Sequence, residues 1–294
     1  MKLTFRPYRD ENDYWRIRQF LREVFLLNGR REHSWPLYRW DYWMWHVNEN
    51  IFHLNLCENV FLWESPEGRI AAILNPEVPG EAHFQTHTAF RCKALETEML
   101  HVAEEVLSLP TENGSRSLRV WTQNGDIERQ ILLSSQGYAR QPGGEYQRIR
   151  DLTLPVLKVP QASGYNMRPL GGDEELPARG WVSFKAFHAH EPETKYDPAP
   201  WYPNIQRAPL YRRDLDIVAM APNGEIAAFC TAWFDDATRS GSFKPVGTHP
   251  AYQRLGLGKA VMTEGLRRLQ ELGASLASVG SYSPPAHALY TSLG

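Results

Sequence analysis

The chain carries its own pattern twice. Phe5-Arg6-Pro7-Tyr8 returns as Met167-Arg168-Pro169-Leu170, and Thr86-His87 returns as Thr248-His249, each 162 positions on. The hairpin-like stretch 60–74, turning at Pro66-Glu67-Gly68, matches 217–229, turning at Pro222-Asn223-Gly224. Near the end of each copy Leu132-Leu133-Ser134-Ser135 aligns with Leu289-Tyr290-Thr291-Ser292, now 157 positions apart. A duplicated unit of roughly 160 residues accounts for this, and 294 residues is a length suited to two domains. Whatever fold one copy takes, the other must be able to take as well.

Within each copy, short apolar runs broken by Pro and Gly alternate with stretches of helical periodicity. Residues 3–8 read as a strand. Asp10 to Asp13 offer a cap, and Tyr14, Ile17, Phe20, Leu21, Val24 and Phe25 then recur at helical spacing until Gly29. Helices are expected over 95–107 and 127–134, with a strand over 118–121. In the second copy 167–170, 217–220 and 226–229 read as strands, and 173–188 and 260–272 as helices. Such an order implies an α/β fold with a mixed sheet in each copy. The expected domains are 1–152 and 165–294, with a Pro-containing linker over 153–164.

The second copy holds Gln253-Arg254-Leu255-Gly256-Leu257-Gly258-Lys259 between an apolar run and a long helical run. Glycines permit a tight turn there. The first amides of a helix lack internal partners and sit at the positive end of its dipole, so such a turn can hold a phosphate. Arg254 and Lys259 add positive charge. The spacing is neither that of a Walker loop nor Gly-x-Gly-x-x-Gly. Without a ligand, the same stretch is simply a strand-to-helix turn.

Gln253-Arg254-Leu255-Gly256-Leu257-Gly258 resembles the Gln/Arg-x-x-Gly-x-Gly/Ala signature of the GNAT (GCN5-related) N-acetyltransferases. Val246-Gly247-Thr248-His249-Pro250 resembles that family's fourth strand. Ala286-His287-Ala288-Leu289-Tyr290-Thr291-Ser292-Leu293-Gly294 resembles its later Ala-x-x-Leu-Tyr-x-x-x-Gly helix. The resemblance implies acetyl-CoA as co-substrate, with no metal. Its pantetheine arm would lie along Val246, Gly247 and Thr248, and its diphosphate on the amides of Arg254, Leu255, Gly256, Leu257, Gly258 and Lys259, with Gln253 opening the motif. The implied reaction is direct attack of a primary amine, on a small molecule or peptide, upon the acetyl carbonyl. Tyr290 takes the place of the family's acid, which protonates the departing thiolate; a buried tyrosine packing on the sheet is the alternative. Ser283 stands where the family often has Asn, contacting the cofactor arm.

The family often places a glutamate on or beside the fourth strand as base, but Ser242-Phe243-Lys244-Pro245-Val246 has no carboxylate. Asp235, Asp236, His188, His190 and Glu191 are candidates, each also readable as a solvated group or a cap. A water chain is a further option. With no assigned base, a non-catalytic acyl-CoA-binding or regulatory protein stays open as the second reading. The family usually continues beyond Leu-Gly with two more strands, whereas this sequence stops at Gly294. Unless more chain follows, another strand, swapped or N-terminal, must complete the sheet.

The copies differ where the resemblance places chemistry. Opposite Gln253 to Gly258 stand Arg91-Cys92-Lys93-Ala94-Leu95-Glu96, without glycine and with a carboxylate facing any phosphate; opposite Tyr290 stands Leu133. The first copy is therefore expected to be a degenerate GNAT-like domain without a cofactor site. The aromatic stretch 33–46 reads as core packing or as a wall for an acceptor. Residues 196–203 occupy the family's variable acceptor-side segment. A net charge of -2 gives no sign of nucleic-acid or membrane-surface partners. No apolar run reaches the ~20 residues of a membrane span. Residues 1–7 lack a signal-peptide core. The scattered Cys57, Cys92 and Cys230 suit free thiols in a cytoplasmic protein. A homodimer is compatible with these expectations.

Overall fold

The computed structural model describes residues 2–156, 159, 162–198 and 201–294. Two compact units divide at Pro142 and Gly143.

The first unit holds β1 (Thr4–Pro7), α1 (Glu11–Leu27), β2 (Phe61–Glu64), β3 (Ile70–Asn75), β4 (Glu81–Thr86), α2 (Lys93–Val106), β5 (Arg119–Val120) and α3 (Ile127–Ser135). Its sheet runs β1-β2-β3-β4-β5, antiparallel except for the parallel β4–β5 pair. Asp10 caps α1, accepting from the amides of Asn12 and Asp13. Ala82 and Phe84 pack with Leu95, Met99 and Leu100 of α2. On the other face lies a core of Tyr14, Ile17, Trp35, Trp40 and Trp43. The aromatic stretch is thus core packing of this unit.

The second unit holds β6 (Tyr146–Asp151), β7 (Asn166–Pro169), α4 (Leu176–Phe187), β8 (Asp216–Met220), β9 (Ile226–Asp235), β10 (Ser240–Thr248), α5 (Leu257–Glu271), β11 (Leu276–Ser281) and α6 (Pro284–Thr291). Its sheet runs β6-β11-β10-β9-β8-β7. From β7 to β11 this repeats the first unit's order, with the single parallel pair again between the fourth and fifth strands. Small details repeat too. Arg6 and Arg168 each reach a carboxylate seven residues on, Asp13 and Glu175. The Ala89 and Ala251 amides each donate to the histidine two residues back, His87 and His249.

One boundary needs correction. The sequence placed residues up to 152 in the first domain, yet β6 pairs antiparallel with β11, Tyr146 opposite Ser281 through to Asp151 opposite Leu276. Leu152 is buried in the second unit's core. Gln270 of α5 donates to the Leu152 carbonyl at 2.7 Å and to that of Leu154 at 3.1 Å. An earlier strand therefore pairs with β11. Residues 157, 158, 160 and 161 of the expected linker, and 199 and 200 of the acceptor-side segment, lie outside the described residues.

Candidate functional site

β10 and β11 pair at only three positions, Ser240–Leu276, Gly241–Ala277 and Ser242–Ser278. Beyond them the strands separate. On its other side β10 stays paired with β9 as far as Thr248, so, among the described residues, 246–248 have a strand partner on one side only. The register on β9 jumps between Cys230, opposite Val246, and Ala232, opposite Phe243, which leaves Lys244 and Pro245 in a bulge. Phe243 and Val246 both pack toward the α5 core, although they are three apart. A two-residue period forbids that without a bulge. Pro245 was the sequence's signal for it, because proline cannot serve a continuous central ladder.

The open edge leads to the head of α5. Gly256 caps that helix at φ 77° and offers no side-chain acceptor to the first-turn amides of Leu257, Gly258 and Lys259. Gln253, Arg254, Leu255 and Gly256 are exposed. Only one of the two glycines serves by its conformation. Gly258 is helical, and a Cβ there would stand 3.2 Å from Thr248 Oγ1 and 3.3 Å from Leu289. Its part is to let the helix head approach the strand end. The second left-handed residue of the turn is Arg254, at φ 65°.

Tyr290, on α6, reaches the point where the strands part. It lines a pocket of about 250 Å³ with Phe243, Ser278, Met262 and Leu266. Burial, with a smaller contribution from nearby Cys230, pushes its phenol up to about 12. It therefore holds its proton at neutral pH. Ser283 caps α6 and is exposed, with no capping bond from its hydroxyl. Val246, Gly247 and Thr248 thus lead into the 253–259 turn, while Tyr290, on the helix that Ser283 begins, lies beside Phe243 where β10 and β11 part.

The base candidates separate. Asp235 is buried at the closed end of the strand pair and accepts from Thr238 at 2.8 Å. His188 Nδ1 lies 2.7 Å from Glu191 Oε1 just after α4.

A buried polar cluster beneath α4 was not foreseen. Arg179, fully buried, donates to Asp216 Oδ1 at 3.4 Å and to Thr231 Oγ1 at 3.3 Å. Asp216 Oδ2 also accepts from the Tyr202 and Tyr211 hydroxyls. The cluster ties the acceptor-side segment to β8 and β9. An arginine on an amphipathic helix looks solvent-facing in sequence, so nothing announced it.

In the first unit, residues 91–96 lead into α2, but the matching groove is filled. Glu96 accepts from Arg91 at 2.9 Å and from Arg129 at 2.6 Å. Arg91 also reaches Asp126 at 2.5 Å. Arg129 points at β4, with Nη1 3.4 Å from the Phe84 carbonyl and Nη2 3.4 Å from Thr86 Oγ1. Thr86 is the counterpart of Thr248. Glu96 was expected to repel a phosphate by its charge; instead it is buried and paired.

No helix among the described residues is long and apolar enough to cross a membrane. No group of three or more His, Cys, Asp or Glu that could hold a metal occurs among them.

Residues 181–294 match the model of the Acetyltransferase (GNAT) family. A mycothiol acetyltransferase of Pseudarthrobacter chlorophenolicus is 26% identical over 250 residues, 77% of this chain and 70% of that protein. One from Kineococcus radiotolerans is 30% identical over 165 residues, covering 52% of this chain and 50% of its own. Among solved structures, a GCN5-related N-acetyltransferase from Sphaerobacter thermophilus superposes with a TM-score of 0.66 at 16% identity, covering 99% of this chain and 91% of its own. A tandem GNAT protein from the clavulanic acid biosynthesis pathway gives 0.62 at 14% identity, covering 100% and 94%. The family's model thus falls on the second unit, and along its length the chain shares the fold of GNAT structures, a tandem one among them.

Proposed function

We propose that the second unit transfers an acetyl group from acetyl-CoA to a primary amine on a small molecule or peptide, and that the first unit binds no acyl-CoA. The observation that carries this reading is the open edge of β10 running into the uncapped amides of α5. Strand groups at Val246 to Thr248 can pair with the amide-bearing arm. The amides of Leu257 to Lys259, with Arg254 and Lys259 nearby, can hold the diphosphate. Bound acetyl-CoA supplies an activated acyl carbon and a thiol leaving group.

Tyr290 is the acid in this reading. A phenol held protonated at the strand divergence can donate to the departing sulfur, a contribution of roughly 10²- to 10⁴-fold. The mycothiol acetyltransferases among the relatives make a mycothiol-related amine the first acceptor to try.

The test is acetyl-CoA turnover with a panel of primary amines, read as CoA release, for the native protein and Tyr290→Phe. Turnover on at least one amine, lowered in the variant with acetyl-CoA affinity kept, is the expected result. Binding without release on any amine would favour a non-catalytic acyl-CoA-binding protein. An undiminished rate in the variant would remove Tyr290 as the acid.

A further inference from the structure

An amine presented at neutral pH is mostly an ammonium ion with no lone pair to attack. β10 carries no carboxylate to take its proton. The acids around the strand are engaged: Asp235 with Thr238, Glu193 with Lys185 at 3.0 Å, and Glu225 with Tyr252 and Asn223. Ser242, on the strand itself, is bonded to Ser278 at 2.8 Å.

The last turn of α4 lies over β10 at Gly247, on the stretch that carries the open edge. Ala186 Cβ lies 2.9 Å from where a side chain on Gly247 would begin. Phe187 packs edge-on against Phe229, the residue opposite Gly247 on β9, with centroids 6.2 Å apart. Glycine at 247 makes this approach possible. His188 is the next residue, its amide still bonded to the Phe184 carbonyl at 2.8 Å. Its ring lies over Phe184 at 5.3 Å and 15°, which fixes the plane. The Glu191 amide donates to the His188 carbonyl at 2.9 Å, so the residues form one tight turn. In that turn the Glu191 carboxylate meets Nδ1 at 2.7 Å. A carboxylate there places the ring proton on Nδ1 and leaves the Nε2 lone pair available. Both side chains are about half exposed, 46% and 49%, so a substrate can reach them. Other titratable groups at this corner are Lys185, His190, Glu193, Lys195, Tyr196 and His249.

We propose that His188, oriented by Glu191, is the catalytic base that deprotonates the acceptor amine. This rests on the acetyltransferase reading of the second unit. The ammonium gives one proton to Nε2, and its freed lone pair forms the C–N bond to the acetyl carbon as the C–S bond breaks. Sulfur receives the Tyr290 proton. The attacking nitrogen loses its second proton as the amide forms, which restores the phenol through solvent. The imidazolium returns its proton to solvent, so each turnover releases one proton overall.

The test uses the full chain with the amine that gives the fastest CoA release. His188→Gln should lower kcat/KM for that amine by roughly 10²- to 10⁴-fold, with acetyl-CoA affinity unchanged by calorimetry. The variant's rate should climb with pH as free amine accumulates, a dependence that a structural defect would not produce. Glu191→Gln should fall between the two. Wild-type kcat/KM and a wild-type acid limb in His188→Gln would overturn the proposal. If acetyl-CoA binds but no amine reacts, diethyl pyrocarbonate labelling followed by peptide mass mapping decides. His188 should be labelled in the free protein and shielded at least tenfold by saturating acetyl-CoA; equal labelling would overturn its place at the groove. No acetyl-CoA binding at all would sink the parent reading, and the base assignment with it.

Discussion

The two units share a strand order and part company at one corner. In the second, β10 leaves an edge open and α5 begins at Gly256 with no side-chain cap. In the first, Arg129 reaches the carbonyl and hydroxyl of the corresponding strand, and Glu96 and Asp126 neutralise it together with Arg91. Two arginines and two carboxylates stand where the other unit has its glycine turn. A frame held by backbone pairing and apolar faces tolerates either solution. Glycine at 258 leaves space, whereas glutamate at 96 brings a charge that must then be paired.

That contrast can be broken most sharply from the filled side. Arg129 is 3% exposed, and its removal would leave Glu96 and Asp126 with Arg91 alone. Burial by itself would raise the Asp126 carboxyl; Arg129 and Arg91 more than offset this and hold it below its ordinary value. Arg129→Ala should cost the first unit about 3–5 kcal/mol, the usual penalty for breaking a buried pair. Denaturation followed by hydrogen exchange in α3 and β4 would register it. A loss below about 1 kcal/mol would mean that water replaces the guanidinium, and that the groove is filled only in a geometric sense.

From the open side the effect is somewhat smaller. Gly256 sits at φ 77° with nothing near its missing side chain, so backbone conformation and charge decide the outcome rather than crowding. Gly256→Ala should cost roughly 1–2 kcal/mol through the left-handed backbone. Gly256→Glu would add a like charge beside the proposed diphosphate position and should weaken acetyl-CoA at least ~100-fold, about 2.7 kcal/mol. Calorimetry with acetyl-CoA would measure both. In the first unit Glu96→Gly should confer no acetyl-CoA binding, because Arg129 still holds the strand groups. Binding there, or unchanged affinity in Gly256→Glu, would mean that the corner does not distinguish the units.

These differences were unevenly legible in the sequence. The Gly256–Gly258 turn could be read because its backbone demands a residue type. The β1 and β7 strands could be read because Arg-Pro punctuates both. β4 went unread: Glu81, His83 and Gln85 alternate with Ala82 and Phe84, yet all six of its positions are buried. Alternation normally means one wet face. β6 went unread because Tyr-Gln-Arg-Ile-Arg-Asp is the polar composition of an edge strand, and its partner lies far along the chain, Tyr146 facing Ser281 and Asp151 facing Leu276. The Arg129–Glu96 pair has no spacing rule at all, and although His188 and Glu191 stand three apart and were candidates, their spacing did not show that the two side chains meet beside β10. Charged residues on helices are ordinary, and only the folded chain brings these together.

The smallest expected effect sharpens the comparison at one matched strand position, where the first unit has His83 and the second has Pro245. His83 is buried; Trp35 Nε1 donates to its Nδ1 at 3.1 Å, and its ring stacks on Trp121 at 5.8 Å. Burial lowers its affinity for a proton, and nearby Glu81 opposes this without reversing it. The unfolded chain therefore takes up a proton as pH falls through about 6.5, the ordinary histidine value, while the folded unit resists. The stabilisation is complete above that pH and is lost progressively below it, by at most about 1.4 kcal/mol per pH unit. Pro245 cannot titrate, so its strand has no such liability at this position. Hydrogen exchange of β4 and β10 amides between pH 7 and 5 should show β4 weakening more. His83→Gln keeps an acceptor for Trp35 and should flatten the β4 slope over that window. An unchanged slope would assign the acid sensitivity to another group and remove His83 from the contrast.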